Sequence, residues 1–309
     1  MFGWRGYTWA RDEIARLDPR VDYDRISRLV AEARFGWPPI AAAFYTSTFV
    51  RQAAVPSIAR VLYRGGGGPS GRADGVRKRN DDTLVIFGEI FSSGAASGRG
   101  RETIARLQEI HGHFTITQDD YRYTLCTIID EPERSAEVIG YRSMSWAEDE
   151  ARFRFWIAVG QEMGITELPE DYADALAYSR AYEAEHWAPT RAGRAVADAV
   201  IGDYVARYLP SPLRPLGIRG FHALLGPELR RAHGYPDPHP VLSAVVIGGL
   251  RTYLRARRLL PDPPLRSITA AFGQEYANAS GCPHLADVGY RPIVPRAAEA
   301  AASSEVSQR

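Results

Sequence analysis

Two groups of residues in this chain are of types that do chemistry at the spacing they have. The first is "RLQEIHGHFTI", residues 106–116, which carries His111 and His113. On a helix turning about 100° per residue, Ile104, Leu107, Ile110 and Phe114 form one apolar stripe; His111 lies inside it and His113 points about 200° round, away from it. One helix therefore cannot aim both imidazoles at one ligand. Periodicity leaves two readings of His111 open, a core histidine satisfied by a backbone carbonyl or a ligand-binding residue. His113 reads as a surface or rim residue.

The second group is in "VRKRNDDTLVIFGEIF". Arg79 and Thr83 are four residues apart, on a helical face that continues through Phe87 and Ile90, so a cation and a hydroxyl are carried inward. Read singly, Arg79 is a cation near a helix start, Thr83 bonds back to a carbonyl, and Asp81 and Asp82 complement the helix dipole. Glu183 and His186 form one E-x-x-H, whereas a di-iron bundle needs two. No G-x-S-x-G, H-E-x-x-H or G-x-x-x-x-G-K-[ST] occurs, which removes the commonest hydrolase, zincin and P-loop signatures. "RGGGGPSG" shares only its glycines with a phosphate loop, and "GCPHL", with Cys282 and His284, lacks the spacing of covalent heme attachment and reads as a late structural loop.

The elements that position these residues must come from a globular chain. It has 309 residues, 45% of them hydrophobic, enough for a sizeable core. Thirty-eight Lys plus Arg nearly cancel 37 Asp plus Glu, a net charge of +1, which gives no reason to expect nucleic acid as partner. Cys126 and Cys282 are too few for a disulfide framework or a zinc site, and with no export signal in "MFGWRGYTWARDE" the expected location is cytoplasmic. The longest uncharged stretch, "WPPIAAAFYTSTFV" (37–50), is shorter than the roughly 20 residues of a bilayer span, so no stable membrane insertion is expected.

Helical periodicity fills most of the chain. Segments around 76–91 and 101–116 are consecutive helices after a glycine-rich loop at 64–75 and a break at 91–101. "SWAEDEARFRFWIAVGQEMGI" opens with Ser145 and Glu148 as a capping box and keeps Phe153, Trp156, Gly160 and Met163 at helical spacing. Further helices are expected at 170–187, 191–208, 240–258 and 265–278, separated by proline-rich connectors. "HFTITQDDYRYTL" alternates enough to hold a short hairpin. The expected fold is all-α with few or no strands: an N-terminal helical segment 1–39, one helical domain 40–295, and a disordered tail 296–309.

Taken jointly, "RKRNDDT", "RLQEIHG" and the downstream run from "DDYRYTLCTIIDEPERSAEVIGYRSMSW" resemble the MpaB-type oxygenases and rubber oxygenases (latex-clearing proteins), in particular the MpaB-like branch, over roughly residues 40–290. The resemblance implies an all-α domain enclosing heme b, His111 as proximal iron ligand, and Arg79 and Thr83 lining the distal side. It implies an apolar, isoprenoid-like small molecule and dioxygen as substrates, with oxygen inserted or a C=C bond cleaved. In the rubber-cleaving branch a Lys that can cap the iron immediately precedes the Thr; here that position is Asp82, which is expected to leave the iron open or to take part in proton delivery. Beside this stand two other readings: a helical carrier with an apolar pocket, and a non-heme iron oxidoreductase using Glu183 and His186.

Overall fold

Ser, Thr, Asp and Pro write the helix starts of this chain. The computed structural model describes residues 7–63, 73–276 and 283–289. Short helices α1 (Trp9–Ile14) and α2 (Tyr23–Leu29) lead into α3 (Pro38–Ala53) and α4 (Pro56–Leu62), both of which begin with proline, whose fixed φ suits a first turn. Then follow α5 (Ala73–Ser93), α6 (Gly98–His111), α7 (Gln118–Ile139), α8 (Trp146–Glu162), α9 (Tyr172–His186) and α10 (Arg191–Tyr208). Ser97, Thr117, Asp171 and Thr190 each accept a hydrogen bond from a backbone N–H in the first turn of the helix they precede. The capping box at Ser145 and Glu148 is present in both directions. The chain continues through α11 (Arg214–Leu224), α12 (Pro227–His233), α13 (Pro240–Arg257) and α14 (Ile268–Phe272). There is no β-strand among the described residues.

Four expectations are corrected in detail. The stretch read as a hairpin, 113–125, is a turn followed by the start of α7, because Thr117 caps it and Asp119 and Asp120 occupy its first turn. Helix α6 ends at His111 and not at 116, with Gly112 as its cap. Within the described part of 265–278, 265–276, only Ile268–Phe272 is α-helical. Helix α5 begins at Ala73, within the stretch read as a loop, so Asp81 and Asp82 are two turns inside it and are held by ion pairs to Arg207 and Lys78 instead of by the helix dipole. The rest of the glycine-rich stretch, Cys282 and the tail 296–309 lie outside the described residues.

The main core is shared by α5, α6, α7, α8 and α14, through Val85, Ile90, Ile104, Ile129, Phe155 and Phe272. Helix α14 lies so close on α5 that a Cβ at Gly88 would stand 2.6 Å from the backbone nitrogen of Thr269. A second cluster joins α3 to α10 and α11 through Val50, Val200, Ile201 and Phe221. Between these cores sits a buried ionic knot. Arg51 of α3 donates to Asp130 (2.6 Å) and Glu131 (3.1 Å) of α7 and to Glu183 (2.5 Å) of α9, and is only 3% exposed. Five N–H groups in a planar fork suit one guanidinium to this role, and they tie three helices at one point.

Candidate active site

The helices enclose a cavity of about 890 Å³, towards the upper end of what small-molecule and cofactor sites occupy. Its wall is largely apolar, with Phe49 from α3, Phe87 and Phe91 from α5, Leu107 and Ile110 from α6 and Trp156 from α8. Into this wall α5 sets Lys78, Arg79, Asp82 and Thr83, and α6 sets His111. The structure thus brings together both groups singled out in the sequence, from two consecutive helices.

His111 is the last residue of α6, its ring tilted against that of Tyr121 of α7 with centroids 5.5 Å apart. Its Nδ1 is buried and has no hydrogen-bond partner among the described residues. Desolvation alone lowers its pKa from 6.5 to about 4, which keeps the imidazole neutral and a nitrogen lone pair free at physiological pH. His113 is exposed, in the turn beyond the helix end.

Arg79 is orphaned in the same way. Its Nε and Nη1 are buried without an acceptor, while Nη2 donates to Asn80 Oδ1 at 3.2 Å and the guanidinium lies 5.5 Å from the ring centre of Phe49. Asn80 is fixed in turn, since its Oδ1 accepts from the Tyr45 hydroxyl (2.9 Å) and its Nδ2 donates to Asp203 (2.8 Å). Burial pushes the Tyr45 hydroxyl up to about 12, so it stays a donor. Thr83 Oγ1 donates to the Arg79 carbonyl at 3.0 Å, the back-bond expected of a threonine inside a helix; the hydroxyl oxygen keeps lone pairs to accept with.

Asp82 is engaged twice: Lys78 Nζ lies 2.9 Å from one carboxylate oxygen, and the Tyr276 hydroxyl donates to the other at 2.5 Å. An amine is therefore present at this wall, one turn upstream of the position that holds Asp82, and paired to it. Sequence reasoning missed Lys78, Tyr45, Asn80 and Tyr276. For Lys78 the i,i+4 spacing to Asp82 was a usable signal, whereas the partners from other helices had none. It also missed the strap 283–289, which closes over α6. Arg106 Nε donates to the Val288 carbonyl (3.1 Å) and Arg99 Nη2 to that of Pro283 (2.9 Å). Gly289, at φ +90°, comes so near Ile110 that a Cβ would stand 2.2 Å from its Cδ1. His284, exposed in this strap, fits the structural reading.

Glu183 and His186 do not converge on a metal. Glu183 accepts from Arg51 on one carboxylate oxygen and from Arg134 on the other (2.5 Å each), and the His186 ring stacks on Tyr182, its Nδ1 3.0 Å from that residue's carbonyl oxygen. Among the described residues no group of three His, Cys, Asp or Glu side chains is placed to hold a metal ion.

A largely apolar cavity inside a helical domain, with a neutral histidine on one helix and an unsatisfied arginine on the next, is a site that suits an enzyme acting on a small molecule. The catalytic-domain model of the family described as ER-bound oxygenase mpaB/B'/Rubber oxygenase matches residues 33–259, and the chain belongs to this family of oxygenases. It is 28% identical over 229 residues to the ER-bound oxygenase mpaB' of Penicillium brevicompactum, covering 69% of this chain and 53% of that one. With the ER-bound oxygenase mpaB of Penicillium roqueforti (strain FM164) it shares 23% identity over 247 residues, 75% of this chain and 81% of that one. The chain thus spans about half the length of the first relative and most of the second. Its fold is similar to that of the latex clearing protein LCP in the closed state, with a TM-score of 0.62 at 18% identity over 85% of this chain and 75% of that one. The relatives are named ER-bound, which overturns the cytoplasmic location expected from the sequence. No helix among the described residues is long and apolar enough to cross a membrane.

Proposed function

We propose that the cavity holds heme b with His111 as the iron ligand, and that the protein is an oxygenase for an apolar, isoprenoid-like small molecule. The observation that carries this reading is His111: a neutral imidazole at the wall of a large apolar cavity, with a buried nitrogen that no group among the described residues satisfies. Bound there, heme would supply the redox chemistry that activates dioxygen. The chain's own residues do the rest. Arg79 offers the N–H donors of two unsatisfied nitrogens, preorganised by Asn80 and Phe49, to the negative charge that develops on oxygen, in a setting dry enough to make a charged donor effective. Thr83 adds a hydroxyl on the same face. Asp82, held by Lys78 and Tyr276, is the carboxyl group of this face and the group nearest in kind to a proton carrier. Phe87, Phe91 and Trp156 exclude water and seat the hydrocarbon of the substrate.

The reading differs from a non-heme iron enzyme at Glu183 and His186 because both oxygens of Glu183 are already taken by arginines. The test is an absorbance spectrum with a pyridine hemochrome assay on purified protein and two variants. The wild type and His113→Ala should show a Soret band and bound heme, and His111→Ala should be strongly depleted. Equal heme in both variants refutes the assignment.

A further inference from the structure

Helix α13 is out of keeping with the rest of the molecule. It runs from Pro240 to Arg257 and packs against α11 and α7, yet none of its 18 residues is buried. Its sequence does not read as a solvated helix: "PVLSAVVIGGL" has no charged side chain, and Val241 and Val245 are 64% and 66% exposed. With about 100° per residue, Val241, Ala244, Val245, Gly249, Thr252 and Ala256 form one stripe, and all six are exposed to solvent. Neighbouring α11 adds Leu216, 54% exposed. An apolar stripe of this length on a free helix face marks an interaction surface.

The charge beside the stripe says what it meets. Arg251, Arg255 and Arg258 recur at i, i+4 and i+7 along one flank. From residue 238 to 261 there is no Asp or Glu, and no carboxylate among the described residues pairs with these arginines. Arg255 and Arg258 instead lie over the ring of Tyr141, and Arg251 donates to the Ile139 carbonyl, which fixes the row in place. At the same level Trp37, 47% exposed, stands against Tyr253 with ring centres 5.9 Å apart. Apolar stripe, flanking arginines and half-exposed Trp and Tyr are the composition of a helix that lies in the plane of a bilayer surface, its apolar side among the acyl chains and its cations on phosphate.

We infer that α13 is a docking face for an anionic lipid bilayer. A second copy of the chain fits less well, because two such faces would set one unpaired arginine row against another with no acid to neutralise either. This inference does not depend on heme, and its test reads no activity. The full chain is floated with phosphatidylcholine vesicles, with and without phosphatidylserine, at low and high salt. Wild type should rise with the anionic vesicles only, and high salt should release most of it. Val241→Ser with Val245→Ser, at positions already exposed, and Arg255→Gln with Arg258→Gln should each weaken binding. The arginine pair should lose about fivefold per charge, some 25-fold together, with circular dichroism showing the helices intact. Wild type that stays unbound, binds zwitterionic vesicles equally well, or binds no better than the valine variant overturns the inference. So does a dimer in light scattering that the valine variant dissociates, which would give the stripe to a second copy.

Discussion

Position and burial pull the charge of His111 in opposite directions. The end of α6 collects the negative pole of the helix and favours imidazolium, an effect of about 0.3–1 kcal/mol for an exposed side chain. Desolvation opposes it and wins, taking the ring from 6.5 down to about 4. As pH falls, the unfolded chain binds the proton first, so stability of the cofactor-free protein is full above 6.5 and is lost progressively from there towards 4. His222 and His233 are lowered in the same direction, so the share of His111 is read by difference. Urea midpoints should fall less over this interval in His111→Phe than in wild type; parallel curves would count against it. Arg79 yields a kinetic prediction. Removing one preorganised charged donor from a dry site costs about 3 kcal/mol in the barrier, roughly a hundredfold in rate. Arg79→Ala should therefore retain its Soret band while oxygen consumption drops about a hundredfold, and Thr83→Val, nearly isosteric, should lose less. Loss of heme from Arg79→Ala would instead make it a cofactor-holding residue.

At the scale of elements, the knot around Arg51 is the least forgiving place in the fold. Replacing Arg51 by Met would leave Asp130, Glu131 and Glu183 buried with fewer cations than charges, and breaking a buried pair from one side costs about 3–5 kcal/mol. Denaturant unfolding of Arg51→Met should show a loss of that size, whereas Arg180→Met, whose partner is exposed, should change stability by less than about 1 kcal/mol. The knot was not legible in the sequence. Its members are 79 and 132 positions apart, and Glu183 was read with His186, its neighbour on α9, when its bonds run to other helices. Local signals served better. The box at Ser145 and Glu148 gave the start of α8, and the stripe through Ile104, Leu107 and Ile110 separated His111 from His113. The same periodicity overran the end of α6: Phe114 does line the cavity, but from the turn that follows. Alternation in 113–125 suggested a hairpin because a capped helix start, Thr117 with two acids behind it, alternates polar and apolar just as a strand does over so short a length.

Across the whole molecule, the cavity draws its wall from helices that begin before residue 50 and from a strap that ends near 290, so whatever fills it ties distant parts of the chain together. Without an occupant the apolar wall lacks packing partners on one side, and His111 and Arg79 keep buried polar atoms unsatisfied. Binding should therefore appear as global stability. A ligand at a hundred times its dissociation constant adds about 2.7 kcal/mol to the folded state. For a single domain of this size that is a rise in Tm of roughly 5 °C. Hemin added to cofactor-free protein should raise Tm by about this much, more as its concentration increases, and should also slow proteolysis within 283–289, because Gly289 and Asp287 share the cavity wall. His111→Ala should show little of either effect. Gly289→Ala, which presses on Ile110 next to His111, should start from a lower Tm and still respond to hemin. Equal stabilisation of wild type and His111→Ala would mean that the porphyrin is held by its apolar faces alone, and the role of iron ligand would have to pass from His111 to another side chain.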